Sequence, residues 1–197
     1  MIGKGKSISH GVAALEYDLA KEINGQAVAT EIARHELYGC TGAEMVQEMK
    51  PYHIDFPNVK NNCLRFEVSP SIEESATFTD ADWAELGNDF MQRMGLANHQ
   101  YIIIRHSGTE SKKEQAHLHI LANRVSLSGE LYRDNWIGKK ATEAANAIAK
   151  ERNFVQSQDI GKVNKAEIKE AMDGVLKKMQ GFDFTKFKEE LGKRGFK

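Results

Sequence analysis

The sequence predicts an α+β fold with a mostly antiparallel central sheet and helices packed on one side of it. The strands are indicated by an apolar, β-branched run from Tyr101 to His106 and by a second run from His117 to Val125. The helices are indicated by apolar residues at helical spacing before and after these runs. The predicted order of strand, helix, strand, helix, strand and strand is typical of an antiparallel sheet covered by helices.

The composition is that of an ordinary globular domain. The chain has 197 residues, of which 41% are hydrophobic and 28% are charged, and its net charge is -1. Nucleic-acid binding would therefore require a local basic face. Cys40 and Cys63 are too few for a disulfide framework. Because no apolar run is long enough to cross a bilayer, we expect a cytoplasmic protein without membrane insertion.

The first half of the chain is predicted to alternate extended and helical segments. His10–Ile23 is predicted to be a helix that is capped by Ser9 and ended by Asn24–Gly25. The later predictions are helices over about Val28–Leu37 and Gly42–Lys50, a connector over Pro51–Asn62, a strand over Leu64–Val68 and a helix from a Thr79–Asp82 capping box to Met94.

The second half is predicted to end in helices. A short strand or extension over Glu130–Asn135 and a helix over Gly138–Arg152 are expected to follow the histidine-bearing strand. Charged amphipathic helices over Lys162–Gln180 and Asp183–Lys193 come next. We therefore expect a domain over residues 1–153 and a C-terminal helical extension over residues 154–197, which we expect to be truncated.

Three histidines are predicted to come together on the sheet. His117 and His119 are two residues apart, so on a strand both imidazoles lie on the same face. The polar segment Ser107–Ala116 is predicted to be a hairpin loop that returns this strand beside His106. Three imidazoles from neighbouring strands suit a first-row metal ion with open coordination positions.

A structural interpretation of the histidines stays open at this point. A histidine on a strand is usually a satisfied surface or core residue, and a His-x-His pattern can arise by chance. The metal interpretation is favoured by the alternation of His117 and His119 with Leu118, Ile120 and Ala122, which predicts one polar and one apolar face.

Several motifs together resemble those of a known enzyme family. The opening Met1–His10 is followed by Tyr17 and Lys21, and Ser69–Pro70 follows a predicted strand. The stretch from Asn98 to Lys140 contains the three histidines. These motifs, which span roughly residues 1–152, resemble the relaxase/mobilization nucleases of the HUH endonuclease superfamily, in particular those of Bacteroides-type mobile elements.

The resemblance implies an HUH relaxase-like fold and a metal-dependent, site- and strand-specific DNA nicking activity at a transfer origin. Tyr17 would be the nucleophile that forms a 5′-phosphotyrosyl intermediate and so initiates conjugative mobilization. His106, His117 and His119 would be the metal ligands. The implied cofactor is Mg²⁺ or Mn²⁺, and nitrogen ligands would also accept Zn²⁺, Ni²⁺ or Co²⁺ in vitro.

The implied partners are single-stranded DNA at a transfer origin, other relaxosome proteins and a coupling protein. For any single basic residue, a solvated surface position is the simpler interpretation, but as a set the residues that flank the histidines suit a DNA backbone. The candidates for DNA contacts are Lys4, Lys6, Lys21, Arg105, Asn123, Arg124, Arg133, Lys139 and Lys140.

One position departs from the family pattern. Close relatives have an acidic residue two positions after the first histidine, where this chain has Gly108 and an insertion within residues 107–116. Glu110 and Glu114 are the nearby residues that could support the metal ligands instead.

Other functions also fit the sequence. Tyr17 could be an ordinary surface aromatic. A non-cleaving, metal-stabilised DNA-binding accessory module would explain the missing acidic position in the loop. A rolling-circle replication initiator of the same superfamily would share the chemistry at a different DNA site. A metal hydrolase that activates water would cut DNA without a covalent step.

Overall fold

The computed structural model of the chain describes residues 1–108 and 115–196, except for the side chain of Ile160. The chain divides into two compact units, Met1–Gln156 and Ser157–Lys197. The division lies three residues after the boundary that the sequence suggested. Within the described residues, none of the helices combines the length and the apolar character that a bilayer-spanning segment requires.

The first unit is built on a five-stranded antiparallel sheet. The strands of the unit are β1 (Ile2–Ile8), β2 (Glu22–Ile23), β3 (Gln26–Ala27), β4 (Ala29–His35), β5 (Cys63–Ser69), β6 (His99–His106) and β7 (His117–Ser126). The sheet order is β1-β5-β7-β6-β4, and β2 and β3 pair separately as a small hairpin. The order leaves β1 and β4 at the sheet edges and the two histidine-bearing strands as central neighbours.

Seven α-helices lie within the described residues. They are α1 (Gly11–Leu19), α2 (Gly42–Met49), α3 (Ile72–Ser75), α4 (Asp80–Arg93) and α5 (Ile137–Glu151) in the first unit, and α6 (Ser157–Leu176) and α7 (Phe184–Lys193) in the second. A capping box starts α2 and another starts α4, where Thr79 and Asp82 exchange side-chain to backbone hydrogen bonds. The α4 capping box was predicted from the sequence and is confirmed.

The antiparallel sheet of the predicted α+β fold is confirmed, but helices cover both faces of the sheet rather than one. Alternate residues of β5, β6 and β7 enter two separate cores. One core contains Phe66, Ile103 and Ile120 together with α4 and α5. The opposite core contains Ile104 and Leu121 together with α1 and α2. Since side chains alternate along a strand, the histidines of β7 lie on the α1 and α2 face.

Two local predictions were wrong. The segment predicted as a helix over residues 28–37 contains the edge strand β4 (Ala29–His35), whose backbone pairs with β6. Helix α1 ends at Leu19 rather than at Ile23, and Asn24 and Gly25 form the turn of the β2–β3 hairpin, with φ of 55° and 74°. Over Glu130–Asn135, predicted as a short strand or extension, a single bridge pairs Leu131 with Val125.

Candidate functional site

The three predicted histidines come together on one face of the sheet. His106 at the end of β6 pairs directly with His117 at the start of β7, and His119 lies two residues further along β7. One ring nitrogen from each of the three imidazoles lies within 4.8 Å of the other two. This separation is small enough for a single metal ion to reach all three rings.

Hydrogen bonds fix which ring nitrogens carry protons. His106 Nε2 lies 2.7 Å from the Asp18 carbonyl oxygen and must donate to it, which leaves the lone pair on Nδ1. His117 Nδ1 donates to the Gln115 carbonyl at 3.0 Å, so its Nε2 carries a lone pair that faces His119 Nε2 at 3.0 Å. Both His106 and His117 therefore keep one nitrogen that can bind a metal.

His119 has the most strongly perturbed ring. Burial lowers the pKa of His119 to about 2, with further lowering by the other two histidines and then by the charges of Arg65 and Lys21. Burial also lowers the pKa of His106, although the hydrogen bond to the Asp18 carbonyl opposes this shift. Both rings are therefore neutral near neutral pH, which is the protonation state that metal ligation requires.

Asp18 and Arg65 complete the cluster, and the sequence analysis did not identify either residue. The Asp18 carboxylate is 1% exposed and accepts hydrogen bonds from Arg65 Nη2 at 2.5 Å and Nε at 3.1 Å. Arg65 Nη2 also lies 3.3 Å from His119 Nδ1, and Asp18 Oδ1 lies 3.7 Å from the same nitrogen. Burial raises the pKa of the Asp18 carboxyl, while the hydrogen bond and charge of Arg65 oppose this shift.

Tyr17 lies on α1 immediately before Asp18. Its side chain is 55% exposed, and its hydroxyl oxygen accepts a hydrogen bond from Lys21 Nζ at 2.6 Å. The same ammonium group lies 4.8 Å from the centre of the Tyr17 ring. Lys21 is also close enough for its charge to lower the pKa of His106 and of His119. The lysine is therefore the charged group that connects the phenol with the histidine cluster.

A cavity beside the histidine cluster extends toward β1. It has a volume of about 210 Å³, and Lys4, Lys6, Arg65, Glu67 and His119 contribute to its lining. Cross-strand pairing aligns Lys4 with Glu67 and Glu67 with His119, so these three side chains form one row on the histidine face. The two lysines that the sequence assigned to DNA contacts thus lie along an open path to His119.

Three other residues that the sequence assigned to DNA contacts have partners within the protein. Arg105 and Arg124 alternate onto the opposite face of the sheet, where they pair with Asp80 and Asp134. Asn123 is 0% exposed because α2 and the following turn cover it. Its amide bonds with Gln100 Oε1, His53 Nε2 and the Met49 carbonyl, which satisfies the buried group.

The remaining candidates lie elsewhere. Lys139 and Lys140 belong to the first turn of α5, with Lys140 Nζ donating to the backbone carbonyl of Arg133. Glu110 and Glu114, which the sequence suggested as supports for the metal ligands, lie outside the described residues.

The comparison with protein families decides the assignment. The relaxase model described as "MobA/VirD2-like, nuclease domain" matches residues 17–154, a range that begins at Tyr17 and contains all three histidines. The chain belongs to this relaxase family. The family resemblance inferred from the motifs is therefore confirmed, and this protein contains a relaxase nuclease domain.

Comparisons beyond the family model give little further similarity. The relaxase domain is similar to a solved metal-bound structure of the conjugative relaxase TrwC in complex with oriT DNA, with 12% sequence identity and a TM-score of 0.43. The similarity covers 81% of this chain and 71% of TrwC. No curated protein sequence gives a significant match.

Proposed function

We propose that this relaxase domain nicks one DNA strand at a transfer origin through a covalent bond between Tyr17 and the DNA 5′ phosphate. The observation that supports the proposal most directly is the attachment of the Tyr17 helix to the histidine cluster. The Asp18 carbonyl accepts a hydrogen bond from His106, and Tyr17 is the residue immediately before Asp18. The Lys21 ammonium, which donates to the Tyr17 oxygen, is also near enough to His106 to lower its pKa, and this supports a single site for the phenol and the imidazoles.

We propose His106, His117 and His119 as the ligands of a divalent metal ion. His106 and His117 keep lone pairs, while His119 would bind through Nε2 after its proton moves to Nδ1. That Nδ1–H group would then face the Asp18 carboxylate, which now lies 3.7 Å away. When bound, a divalent ion polarises the phosphate oxygens and withdraws charge from the scissile bond, and three neutral ligands leave its charge intact.

Mg²⁺ or Mn²⁺, which the family resemblance implies, is the cofactor that we propose in cells, and an all-nitrogen ligand set also suits Zn²⁺, Co²⁺ or Ni²⁺. The carboxylate of Asp18 is engaged by Arg65 and therefore does not add negative charge to the ligand set.

The residues around Tyr17 would assist the transfer step. A phenol is a weak nucleophile at neutral pH, and nearby positive charge stabilises the oxyanion that attacks phosphorus. Lys21 supplies such a charge at 2.6 Å from the Tyr17 oxygen. Arg65 and the two β1 lysines provide further cations on the same face, where they can bind the flanking phosphates.

The proposed reaction conserves the number of phosphodiester bonds. The Tyr17 oxygen attacks phosphorus, the bond from phosphorus to the 3′ oxygen breaks, and the phenol proton is exchanged for a proton on the released 3′ hydroxyl. Because one phosphodiester replaces another, the released 3′ end can reverse the step and restore the strand. This reversibility suits conjugative mobilization, in which a transferred strand must be closed again.

The substrate that we propose is single-stranded DNA at the transfer origin, because a scissile phosphate must turn into the site between the helix and the sheet. In the cell, the nicked complex would be assembled with other relaxosome proteins and passed to a coupling protein. A rolling-circle initiator would perform the same transfer at a replication origin, so the two functions differ in the DNA site that is cut.

The proposal is tested with a labelled single-stranded oligonucleotide from the transfer origin of the element that carries the gene. Wild-type protein with Mn²⁺ should give a protein–DNA adduct that survives denaturing electrophoresis, and Tyr17→Phe should bind the oligonucleotide without forming it. An adduct with the phenylalanine variant would refute the assignment of the nucleophile.

The same gel separates the other functions. A non-cleaving accessory module would be stabilised by the metal but would give neither adduct nor cut strand. A hydrolase that activates water would cut the strand in both the wild type and Tyr17→Phe. Cleavage restricted to a replication-origin oligonucleotide would instead identify a rolling-circle initiator.

A further inference from the structure

Trp136 is an exposed aromatic side chain in an unusual backbone conformation. It is 81% exposed, whereas the other tryptophan of the sequence, Trp83, is 2% exposed in the core. Its φ is +59°, in the left-handed region that bulky residues rarely adopt. A bulky residue in this region is strained by about 1–3 kcal/mol, and such strain is found most often at ligand-binding positions.

The surroundings of Trp136 suit a nucleic-acid strand. Trp136, Lys139, Lys140 and Glu143 line an open cavity of about 340 Å³. Lys140 Nζ is held 5.0 Å from the centre of the Tyr132 ring, while Lys139 extends into solvent, 3.8 Å from Glu143. A flat aromatic surface beside lysines is the combination that single-strand-binding proteins use for a base and its phosphates.

This cavity lies next to the path that leads to the histidines. A Cβ atom placed on Gly138 would be 3.5 Å from the carbonyl oxygen of Gly5, so the start of α5 packs directly on β1. The neighbours of Gly5 in β1 are Lys4 and Lys6, which line the cavity beside His119. Since β1 is an edge strand, a DNA strand can pass around it from one cavity to the other.

We propose that Trp136 stacks on an unpaired base of the DNA strand whose scissile phosphate lies at the histidine cluster. The inference rests on the proposed nicking function for the position of that phosphate. The row from Lys4 through Glu67 to His119 crosses two strand spacings, roughly 10 Å. The DNA strand would cross this row between the nick and the stacked base, and the exposed Lys139 beside Trp136 would contact its backbone.

The choice of single-stranded DNA follows from the chemistry of the surface. A base in a duplex hides its π-face in the helical stack, so an exposed tryptophan can stack only on an unpaired base. The flanking ammonium groups favour a polyanion, and stacking tolerates any base because every base has a π-face.

Binding of oligo(dT) of about 12 nucleotides to the metal-free protein tests the proposal without cleavage. Trp136→Ala should weaken binding roughly 5- to 150-fold, the range expected for the loss of one stacked base, and Trp136→Phe should restore part of it. Fluorescence gives a second measurement, because stacking on DNA should quench Trp136 while Trp83 stays unchanged in the core.

Tyr38→Ala is the matched control. Tyr38 is a 76% exposed aromatic, but its hydroxyl donates to Glu36 and its backbone N–H to Glu48, an acidic setting that disfavours DNA. This variant should bind oligo(dT) like the wild type. Trp136→Asn, in which the new residue tolerates a positive φ, separates loss of stacking from loss of fold when its melting temperature matches the wild type.

The outcomes separate this inference from the proposed function. Unchanged binding and fluorescence in folded Trp136 variants would overturn the stacking inference even if Tyr17 formed an adduct. Weakened binding in those variants, together with no adduct from the wild type, would keep the stacking surface and refute the nicking function. An equal loss of affinity for single-stranded and duplex DNA would also overturn the inference, because a paired base offers no face to Trp136.

Discussion

The Asp18 carbonyl oxygen accepts a 2.7 Å hydrogen bond from His106 Nε2, which joins α1 to the end of β6 across 88 positions of sequence. The carboxylate of the same residue is paired with Arg65, and Arg65 in turn contacts His119. One aspartate therefore holds two of the three histidines, and it is the residue that follows the proposed nucleophile. A shift of the α1 backbone relative to the three histidines would disturb these contacts.

Asp18→Asn should weaken metal binding by about 10- to 100-fold, the usual effect of removing a carboxylate that orients a ligating histidine. The neutral amide cannot compensate the Arg65 charge, and it accepts more weakly than a carboxylate from the Nδ1–H group that His119 would present when its Nε2 binds metal. Titration of Mn²⁺ or Co²⁺ by calorimetry measures the effect.

Asp134→Asn is the control for Asp18→Asn. It breaks a comparable ion pair between Asp134 and Arg124. Arg124 follows His119 by five residues in β7 and lies on the opposite face of the sheet. Its metal affinity should equal that of the wild type. Equal affinities of all three proteins would remove Asp18 from the metal site.

Metal binding should stabilise the folded relaxase domain. At a metal concentration about 100 times Kd, the free energy of unfolding should increase by about 2.7 kcal/mol, because only the folded chain brings the three imidazoles together. His106→Ala should lose this increase, whereas the exposed His10→Ala should keep it. Thermal melts with Mn²⁺ and with a chelator provide the measurement, and equal stabilisation of the two variants would argue against the proposed ligands.

Lys21→Met should slow adduct formation by about 10- to 150-fold, the range expected for loss of a hydrogen bond to a charged group. Its ammonium donates a 2.6 Å hydrogen bond to the Tyr17 oxygen and would stabilise the negative charge that forms there. Lys21→Arg, which keeps the charge, should restore part of the rate.

The rate must be measured at saturating DNA so that weaker binding does not contribute. Lys60→Met, an exposed lysine in the connector before β5, is a matched change of charge. A Lys21→Met variant that reacts at the wild-type rate would show that Tyr17 is activated by another group.

The stability of the metal-free domain should fall as the pH is lowered, and His99 should account for part of the fall. Burial lowers the pKa of His99, although the Asn123 carbonyl and Glu130 oppose the shift. Below its ordinary pKa of about 6.5, the unfolded chain takes up a proton at residue 99 while the folded chain does not. This contribution to stability is complete above that pH and is lost as the pH falls toward the lowered pKa.

His99→Asn should therefore have a shallower dependence of stability on pH than the wild type. The asparagine side chain can still donate to the Asn123 carbonyl that His99 Nδ1 contacts. Urea unfolding at about pH 7.5 and about pH 5.5 measures the dependence. Identical pH dependences would contradict a buried neutral His99.

The sequence predicted the parts of the fold that depend on local patterns. The alternation in His117–Val125 and the apolar run before His106 predicted β7 and β6, and the Thr79–Asp82 capping box predicted the start of α4. The edge strand β4 was missed because its sequence, ATEIARH, has strong helix formers, and pairing with β6 overrides that preference.

The candidate site was predicted only in part, because some of its contacts join residues that are far apart in the sequence. The spacing of His117 and His119 is visible in the sequence, but the partnership of Asp18 with Arg65 depends on the packing of α1 against β5, 47 positions away. Side chains alternate between the two sheet faces along β6 and β7. Arg105 and Arg124 are an odd number of positions from the histidines of their own strands, so their place on the opposite face is predictable from the sequence.

Mass spectrometry of the covalent adduct tests the central claim most directly. After reaction with origin DNA and digestion by nuclease and trypsin, the remaining phosphonucleotide should be found on the peptide from Ser7 to Lys21, in which Tyr17 is the one tyrosine. A phosphonucleotide on a peptide that contains Tyr38, Tyr52, Tyr101 or Tyr132, or a cut strand with no modified peptide, would contradict the account.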